Sequence, residues 1–296
     1  MSDVAALALP EAPSRRGLWF DAWRRLGQRR TGIVCLVVLA ALAALAIVGP
    51  FISPYDADTP DWRAVAVPPG LTDGHWFGTD RLGRDLFVRT LDGLRISLLI
   101  GLAATAISLL IGVTWGALAG FVGGRTDALM MRFVDILYSL PFLFFVIVLT
   151  VLFGRSPILL FVAIGAVGWL TMARIVRGQA MVLRRREFVE AAIAMGVSTP
   201  AIVWRHIVPN ALGPVIIYAT LTIPQLILYE SFLSFLGLGV QEPLASLGSL
   251  VAQGAAEMES APWMLLLPAG ALVLMLVCFN FLGDALRDAL DPQSHG

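Results

Sequence analysis

The stretch Glu190-Ala191-Ala192, then Gly196, then Ile207-Val208-Pro209-Asn210 holds the residues whose types and spacing can do most, and what they can do is dock a partner. Glu190 offers one fixed negative charge that an arginine can clasp in a charge-assisted pair. Ala191 and Ala192 leave the surface around it shallow and apolar, and an exposed apolar patch marks an interaction site. From Arg184 to Ala194 the residues favour helix, with Phe188, Ala191, Ala192 and Met195 on its apolar face. Gly196 suits the left-handed position that closes a helix. Thr199 then reads as an N-cap and Pro200 as the first position of a second helix, which runs through His206 into Ile207-Val208-Pro209 and the fifth span. The competing reading is an amphipathic linker lying in a lipid surface. That linker needs large apolar residues over a basic face, and Ala191, Ala192 and Gly196 supply little greasy area.

Other reactive-looking residues do not assemble into chemistry. All 21 basic residues are arginine, with no lysine anywhere. A phosphate-binding loop of the Walker A type needs a lysine to reach the β- and γ-phosphates, so the chain is not itself a P-loop ATPase. Cys35 and Cys278 both lie in apolar runs and read as small buried hydrophobes. His75 and His206 lack partners at metal-ligand spacing, so no metal is assigned. No nucleophile–base pair stands within the apolar runs, which argues against a membrane-embedded enzyme. Glu230 is a carboxylate near the external end of the fifth such run. It is either a contact of a transport path or gate, or a group hydrogen-bonded to a neighbouring helix.

The elements that must hold these residues are set by lipid. The chain has 296 residues, 58% hydrophobic and 14% charged, with a net charge of zero and a mean hydropathy of +0.81. Charge that sparse cannot clothe a water-soluble protein of this size. Six uncharged stretches approach or exceed the ~20 residues that cross a bilayer: 31–52, 96–124, 136–154, 156–173, 207–229 and 260–283. Backbone amides in lipid must be paired internally, so the expectation is an all-α membrane protein with six transmembrane helices. The first stretch is too long and too far from Met1 for a cleaved signal and reads as a retained span. The third and fourth are separated only by Arg155, as a tight hairpin.

Arginine placement sets the orientation. Six arginines before residue 31, with Arg125, Arg132, Arg174, Arg177, Arg184 to Arg186, Arg205 and Arg287, put fifteen on the N-terminal side. The other six are Arg63, Arg81, Arg84, Arg89, Arg95 and Arg155. The positive-inside rule then places both termini in the cytoplasm. The expected organisation is a cytoplasmic segment 1–30, a first span 31–52 and an extracytoplasmic segment 53–94. A membrane domain 95–290 follows, containing the loop 184–209, and a tail 291–296 ends the chain. The last external segment, 238–263, carries no arginine.

Within the second span, Ala104, Ser108, Gly112, Gly116, Gly120 and Gly124 recur every four residues. Small residues at this spacing let helices approach closely in lipid, either within the chain or between subunits. Pro141, Pro214, Pro224 and Pro268 fall in or beside spans and can kink them. Gly213-Pro214 and Pro224 make the fifth span the least regular, and irregular membrane helices are tolerated where they line a cavity. Pro214, Pro224 and Glu230 are therefore the candidate path or gate residues.

Glu190-Ala191-Ala192, Gly196 and Ile207-Val208-Pro209 resemble the EAA loop of binding-protein-dependent ABC importer permeases. The stretch from His75 through Gly78-Thr79-Asp80 to Gly83-Arg84-Asp85 is similar to the H-x-x-G-T-D-x-x-G-R-D stretch of C-type peptide permease subunits. Glu230-Ser231-Phe232-Leu233-Ser234-Phe235-Leu236-Gly237-Leu238-Gly239 and Asn280-Phe281-Leu282-Gly283-Asp284 through Asp291-Pro292 extend the likeness. It runs from about residue 30 to the end and is closest to the C-type subunit of oligopeptide importers. Val208 departs from the leucine more usual there. The resemblance implies a type I importer permease in the bacterial inner membrane, a half-channel without chemistry of its own. Its implied partners are a homologous B-type permease subunit, two ABC ATPase subunits that bind the ATP and Mg²⁺, and an extracytoplasmic peptide-binding protein; nucleic acid is not among them. Glu190, Ala191, Ala192, Gly196, Ile207 and Pro209 would couple to the ATPases, while Gly112, Gly116 and Gly120 pack helices. The implied cargo is oligopeptides, with dipeptides or a nickel chelate as alternatives. An ion-coupled secondary transporter is disfavoured, because the spans hold almost no ionisable residue and no inverted repeat. The charges Asp80, Arg81, Arg84 and Asp85 are either a self-satisfied cap or a site for a peptide terminus. Asp284, Arg287 and Asp288 suggest an interfacial network at a helix end.

Overall fold

The computed structural model describes residues 24–70, 74–154 and 156–290. The expectations for residues 1–23, for the hairpin at Arg155 and for the tail 291–296 lie outside the described residues. Helix α1 spans Arg30–Ile52. Its buried residues Gly32, Cys35, Leu39, Ala46 and Gly49 recur every three, four or seven positions and form one inward stripe. Val34, Val37, Ile47 and Val48 stay exposed, as side chains solvated by lipid must be.

Helix α2, Leu86–Val122, has 37 residues and begins ten residues before the expected span. The cause is Asp85, whose carboxylate accepts from the Val88 amide at 2.9 Å as an N-cap. Residues 86–94, expected in the external segment, are therefore helical. Helix α3 (Gly124–Ser139) folds back after Gly123 and Gly124, both with positive φ. Helix α4 is Phe142–Phe153 and α5 is Pro157–Leu183, the latter capped by Ser156, which accepts from the Leu159 amide at 3.1 Å.

The expected third span, 136–154, is not one helix. Leu140 is extended, as a residue before proline is driven to be, and Pro141 has no N–H to continue the ladder. The 12 residues of α4 reach only about 18 Å, against ~30 Å of hydrocarbon. Among the described residues, five helices are long and apolar enough to cross a membrane, one fewer than the six expected.

The glycine stripe of α2 faces α5 of the same chain. A Cβ built on Gly112 would lie 2.6 Å from the Met172 Cβ, and one on Gly116 would strike the Ala173 carbonyl oxygen. On Gly120 it would meet the Arg177 carbonyl and the Ala180 Cβ. The Ser108 hydroxyl adds a bond to the Gly165 carbonyl at 3.1 Å. Gly124 lies outside the stripe, with positive φ and nothing within 4 Å of a would-be Cβ.

The chain continues through α6 (Glu187–Ala194), α7 (Thr199–Ile202), a π-helical stretch Val203–Ile207 and α8 (Val208–Phe235). The last external segment, 238–263, contains a further helix, α9 (Leu247–Ala256). Gly248 and Gly254 let it lie directly on the backbones of Ser231 and Met264. Helix α10, Trp263–Leu290, completes the bundle. Apart from an isolated bridge between Thr79 and Asp85, no β structure occurs among the described residues.

Candidate functional site: a docking face, its rod and a cavity

Helix α6 starts at Glu187, three residues later than expected, because Arg184 to Arg186 form the turn that ends α5. Cations at a helix C-terminus meet its negative dipole end. Arg184 also donates to the Val122 carbonyl at 3.0 Å, satisfying the last turn of α2. At its other end α6 closes in a Schellman motif. The Val197 amide bonds the Ala192 carbonyl at 3.1 Å, the Gly196 amide bonds that of Ile193 at 3.0 Å, and Gly196 holds φ at 76°.

The two alanines face opposite ways. Ala192 joins Val189 in a buried cluster with Phe121, Ile202, Val203 and Ile207, while Ala191 and Glu190 are exposed. The apolar face expected over Phe188, Ala191, Ala192 and Met195 is thus corrected: Ala192 anchors, and Ile193 joins Phe188, Ala191 and Met195 outside. Met195 is 76% exposed and Trp204, from the π stretch, 55%. The Phe188 and His206 rings, 6.3 Å apart, tie α6 to that stretch. A groove of about 410 Å³ separates Glu190 from the end of α2, with Asp127, Arg184 and Arg185 on its walls.

The second helix begins at Thr199 with Ser198 in the N-cap position, one residue earlier than expected, and Pro200 lies just inside it. It runs on through His206 into the fifth span, as expected. The Val208 amide reaches back five residues to Val203, which widens the turn before Pro209. That residue lacks an N–H, and its ring would clash with the Arg205 carbonyl in a regular helix. Thr199–Phe235 is consequently a single helical rod of 37 residues. Ile207 is buried at its base, and Pro209 and Asn210 are exposed.

At the outer end of the rod Glu230 is fully buried. Its carboxylate accepts from Ser234 at 2.7 Å, from Ser97 of α2 at 3.0 Å and from Ser231 at 3.4 Å. Ser246, the N-cap of α9, bonds Ser234 at 3.2 Å, so the nest joins α2, α8 and α9. A second Schellman motif follows, with Gly237 at φ 74° and the Leu238 amide on the Leu233 carbonyl at 2.8 Å.

The outer charges pair with one another, although Arg89 Nε and Nη2 are buried without a hydrogen bond among the described residues. Asp80 accepts from the Leu82 amide at 2.8 Å, the Arg84 amide at 2.9 Å and Arg84 Nε at 2.7 Å. Arg84 also donates to Glu242 at 3.0 Å, and its guanidinium holds the Glu242 carboxyl below the usual carboxylate range. Arg89, only 1% exposed, stands 3.5 Å from Asp80, and His75 pairs with Asp85 at 2.8 Å. Arg81 is exposed and outside the cluster. Sequence reasoning missed Arg89 and Glu242; the latter is 158 residues from Arg84, beyond any spacing signal. At the opposite face of the molecule, Asp288 pairs with Arg29 at 3.3 Å.

A cavity of about 270 Å³ opens between α3, α4, α5 and α8. Its polar walls are Tyr138, Thr171, Thr222, Gln225 and Tyr229. The expected path residues are dispersed instead: Pro224 is buried, Glu230 is sealed among serines, and Pro214 lines a separate groove of about 310 Å³ with Tyr218 and Arg287. A signal for the cavity was present, since Thr222, Gln225 and Tyr229 are spaced as one helical face.

Residues 112–295 match a family described as binding-protein-dependent transport system inner membrane component, and residues 17–69 match the N-terminal TM domain of oligopeptide transport permease C. The oligopeptide transport system permease protein OppC of Haemophilus influenzae is 53% identical over 94% of this chain and 89% of its own length. That of Escherichia coli K12 is 54% identical over 94% and 92%. The dipeptide transport system permease protein DppC of Bacillus subtilis is 45% identical over 92% and 85%. Among solved structures, an inward-facing MetNI methionine ABC transporter superposes with a TM-score of 0.55 at 23% identity, covering 70% of this chain and 96% of that one, which shows the shared fold.

Proposed function

This chain belongs to the family of binding-protein-dependent transport system inner membrane components, and on that premise we propose that it is the permease half of an ATP-driven oligopeptide importer. It is a multi-pass protein of the bacterial inner membrane. The observation that carries the reading is the rod Thr199–Phe235, whose base holds the exposed docking face and whose upper half forms a wall of the cavity. Two ABC ATPase subunits grip Glu190 to Gly196 and the surface around Ile207 and Pro209. When they close on ATP and Mg²⁺ they displace this base, and a continuous helix carries the displacement to the cavity wall. Alternating access follows as a rigid-body switch. A homologous B-type permease supplies the other half of the channel, and an extracytoplasmic binding protein delivers the peptide. Both termini face the cytoplasm, on the side of the arginine-rich docking face. This subunit moves cargo without catalysing a reaction.

The oligopeptide cargo is supported by relatives of that name at 53% and 54% identity. A dipeptide reading draws on the Bacillus subtilis relative at 45%. The coupling role is tested by Glu190→Arg in the assembled transporter. The variant should insert normally and lose ATP-driven peptide uptake, because Glu190 is exposed and holds up nothing in the fold. Uptake at the wild-type rate overturns the reading.

A further inference from the structure

The coupling mechanism does not account for the polar face of α8. Thr222, Gln225 and Tyr229 of this helix line the cavity, where Tyr138 and Thr171 join them. Among the described residues, neither the exposed Gln225 carboxamide nor the exposed Thr171 hydroxyl makes a hydrogen bond. Thr222 donates to the Tyr218 carbonyl at 2.7 Å, which leaves its oxygen lone pairs to accept. Polar groups left open at membrane depth are matched to a polar occupant or to water, since lipid cannot satisfy them. The face is also neutral: no charged side chain lines the cavity among the described residues. Behind the wall Arg174 sits 4.3 Å over the Tyr138 ring, and Asp135 neutralises it at 2.8 Å.

Resting on the peptide-importer reading, we propose that this cavity is the chain's half of a wall that holds an extended peptide by its backbone, with Gln225 as the central contact. A carboxamide presents one carbonyl and two N–H groups, the same donor and acceptor pair as a peptide unit. It can therefore bond the N–H and C=O of almost any residue without reading the side chain. The hydroxyls of Thr171 and Thr222 extend that pairing along the strand. The absence of charge has an equal part, because a fixed charge in a low-dielectric cavity selects strongly by sign. A wall that hydrogen-bonds backbone and ignores charge passes peptides of any composition.

The test uses the complete transporter with its partner subunits, in vesicles of phosphatidylethanolamine and phosphatidylglycerol. The probes are the labelled pentapeptides Ala-Ala-Lys-Ala-Ala and Ala-Ala-Glu-Ala-Ala. The measured quantity is the ratio of their initial uptake rates, which cancels differences in expression and folding. Gln225→Arg should lower the lysine-to-glutamate ratio by about tenfold and Gln225→Glu should raise it by a similar factor. Gln225→Leu should slow both peptides alike. Ratios unchanged in both charged variants, or shifted in the same direction, overturn the proposal. Loss of the partner permease on co-purification of the Gln225 variants also overturns it, by marking the face as a subunit seam. A wild-type complex that imports neither peptide removes the importer reading itself, which separates the two failures.

Discussion

The two ends of the rod Thr199–Phe235 solve opposite problems with similar parts. Each end is fastened through a left-handed glycine, Gly196 below and Gly237 above, in the same Schellman geometry. Above, the carboxylate of Glu230 and the guanidinium of Arg84 are buried and matched to named groups. Below, Glu190, Met195 and Trp204 are left open. A surface that satisfies itself belongs to the frame. One that leaves a carboxylate and large apolar side chains unsatisfied is shaped for a partner, because the free protein gains nothing by exposing them.

Substitutions at the two ends should therefore separate stability from transport. The largest effect is expected from Arg84→Ala, which removes the closest cation from Asp80 and leaves it two amides and Arg89 at 3.5 Å. Breaking a buried pair from one side costs about 3–5 kcal/mol, read as a lowered thermal unfolding midpoint in detergent, whereas Glu190→Arg should leave that midpoint in place. Equal midpoints for the two variants would break the comparison. Next in size, Gly112→Leu with Gly116→Leu should force α5 off α2 and destabilise by about 1–3 kcal/mol or more. Retained close cross-linking between the two helices in the double variant would count against that packing. Gly196→Ala and Gly237→Ala should each cost roughly 1–2 kcal/mol for a non-glycine residue at positive φ, since neither would-be Cβ meets an atom within 4 Å. Only the Gly196 change should also lower ATP-driven uptake, and a matching transport loss in both would show the docking end is not special.

The smallest effect concerns pH. The Arg84 guanidinium depresses the Glu242 carboxyl, whose side chain is half exposed. A depressed carboxyl contributes stability above its unfolded value and loses it as pH falls through the folded one. Unfolding midpoints measured on acidification should thus fall less steeply for Glu242→Gln than for the unaltered chain, and identical slopes would remove Glu242 from the outer frame.

Much of this contrast was legible in the sequence, for reasons that differ between residues. Gly196 announced its helix end because a left-handed cap is a property of one residue. The spans now seen as α1, α2 and α10 followed from apolar length alone. The break at Leu140-Pro141 was equally visible, but apolar length outweighed it, and a twelve-residue helix was counted as a span. Glu230 stood out by type, yet its partner Ser97 lies 133 residues away and carried no signal. Prolines drew attention toward Pro214 and Pro224, while the regular spacing of Thr222, Gln225 and Tyr229 marked the cavity more plainly.

Helix α1 is written in two alphabets. On its inner stripe a Cβ at Gly32 would come 2.8 Å from that of Ala285, and one at Gly49 would collide with Leu91, so these positions admit almost nothing larger. Outward, Val34, Val37, Ile47 and Val48 touch only what surrounds the protein, and any greasy side chain serves there. A lineage can rewrite that outer face freely and keep the same transporter. Drift along α1 would then chronicle the lipids of successive hosts, while its few glycines keep the record of the fold.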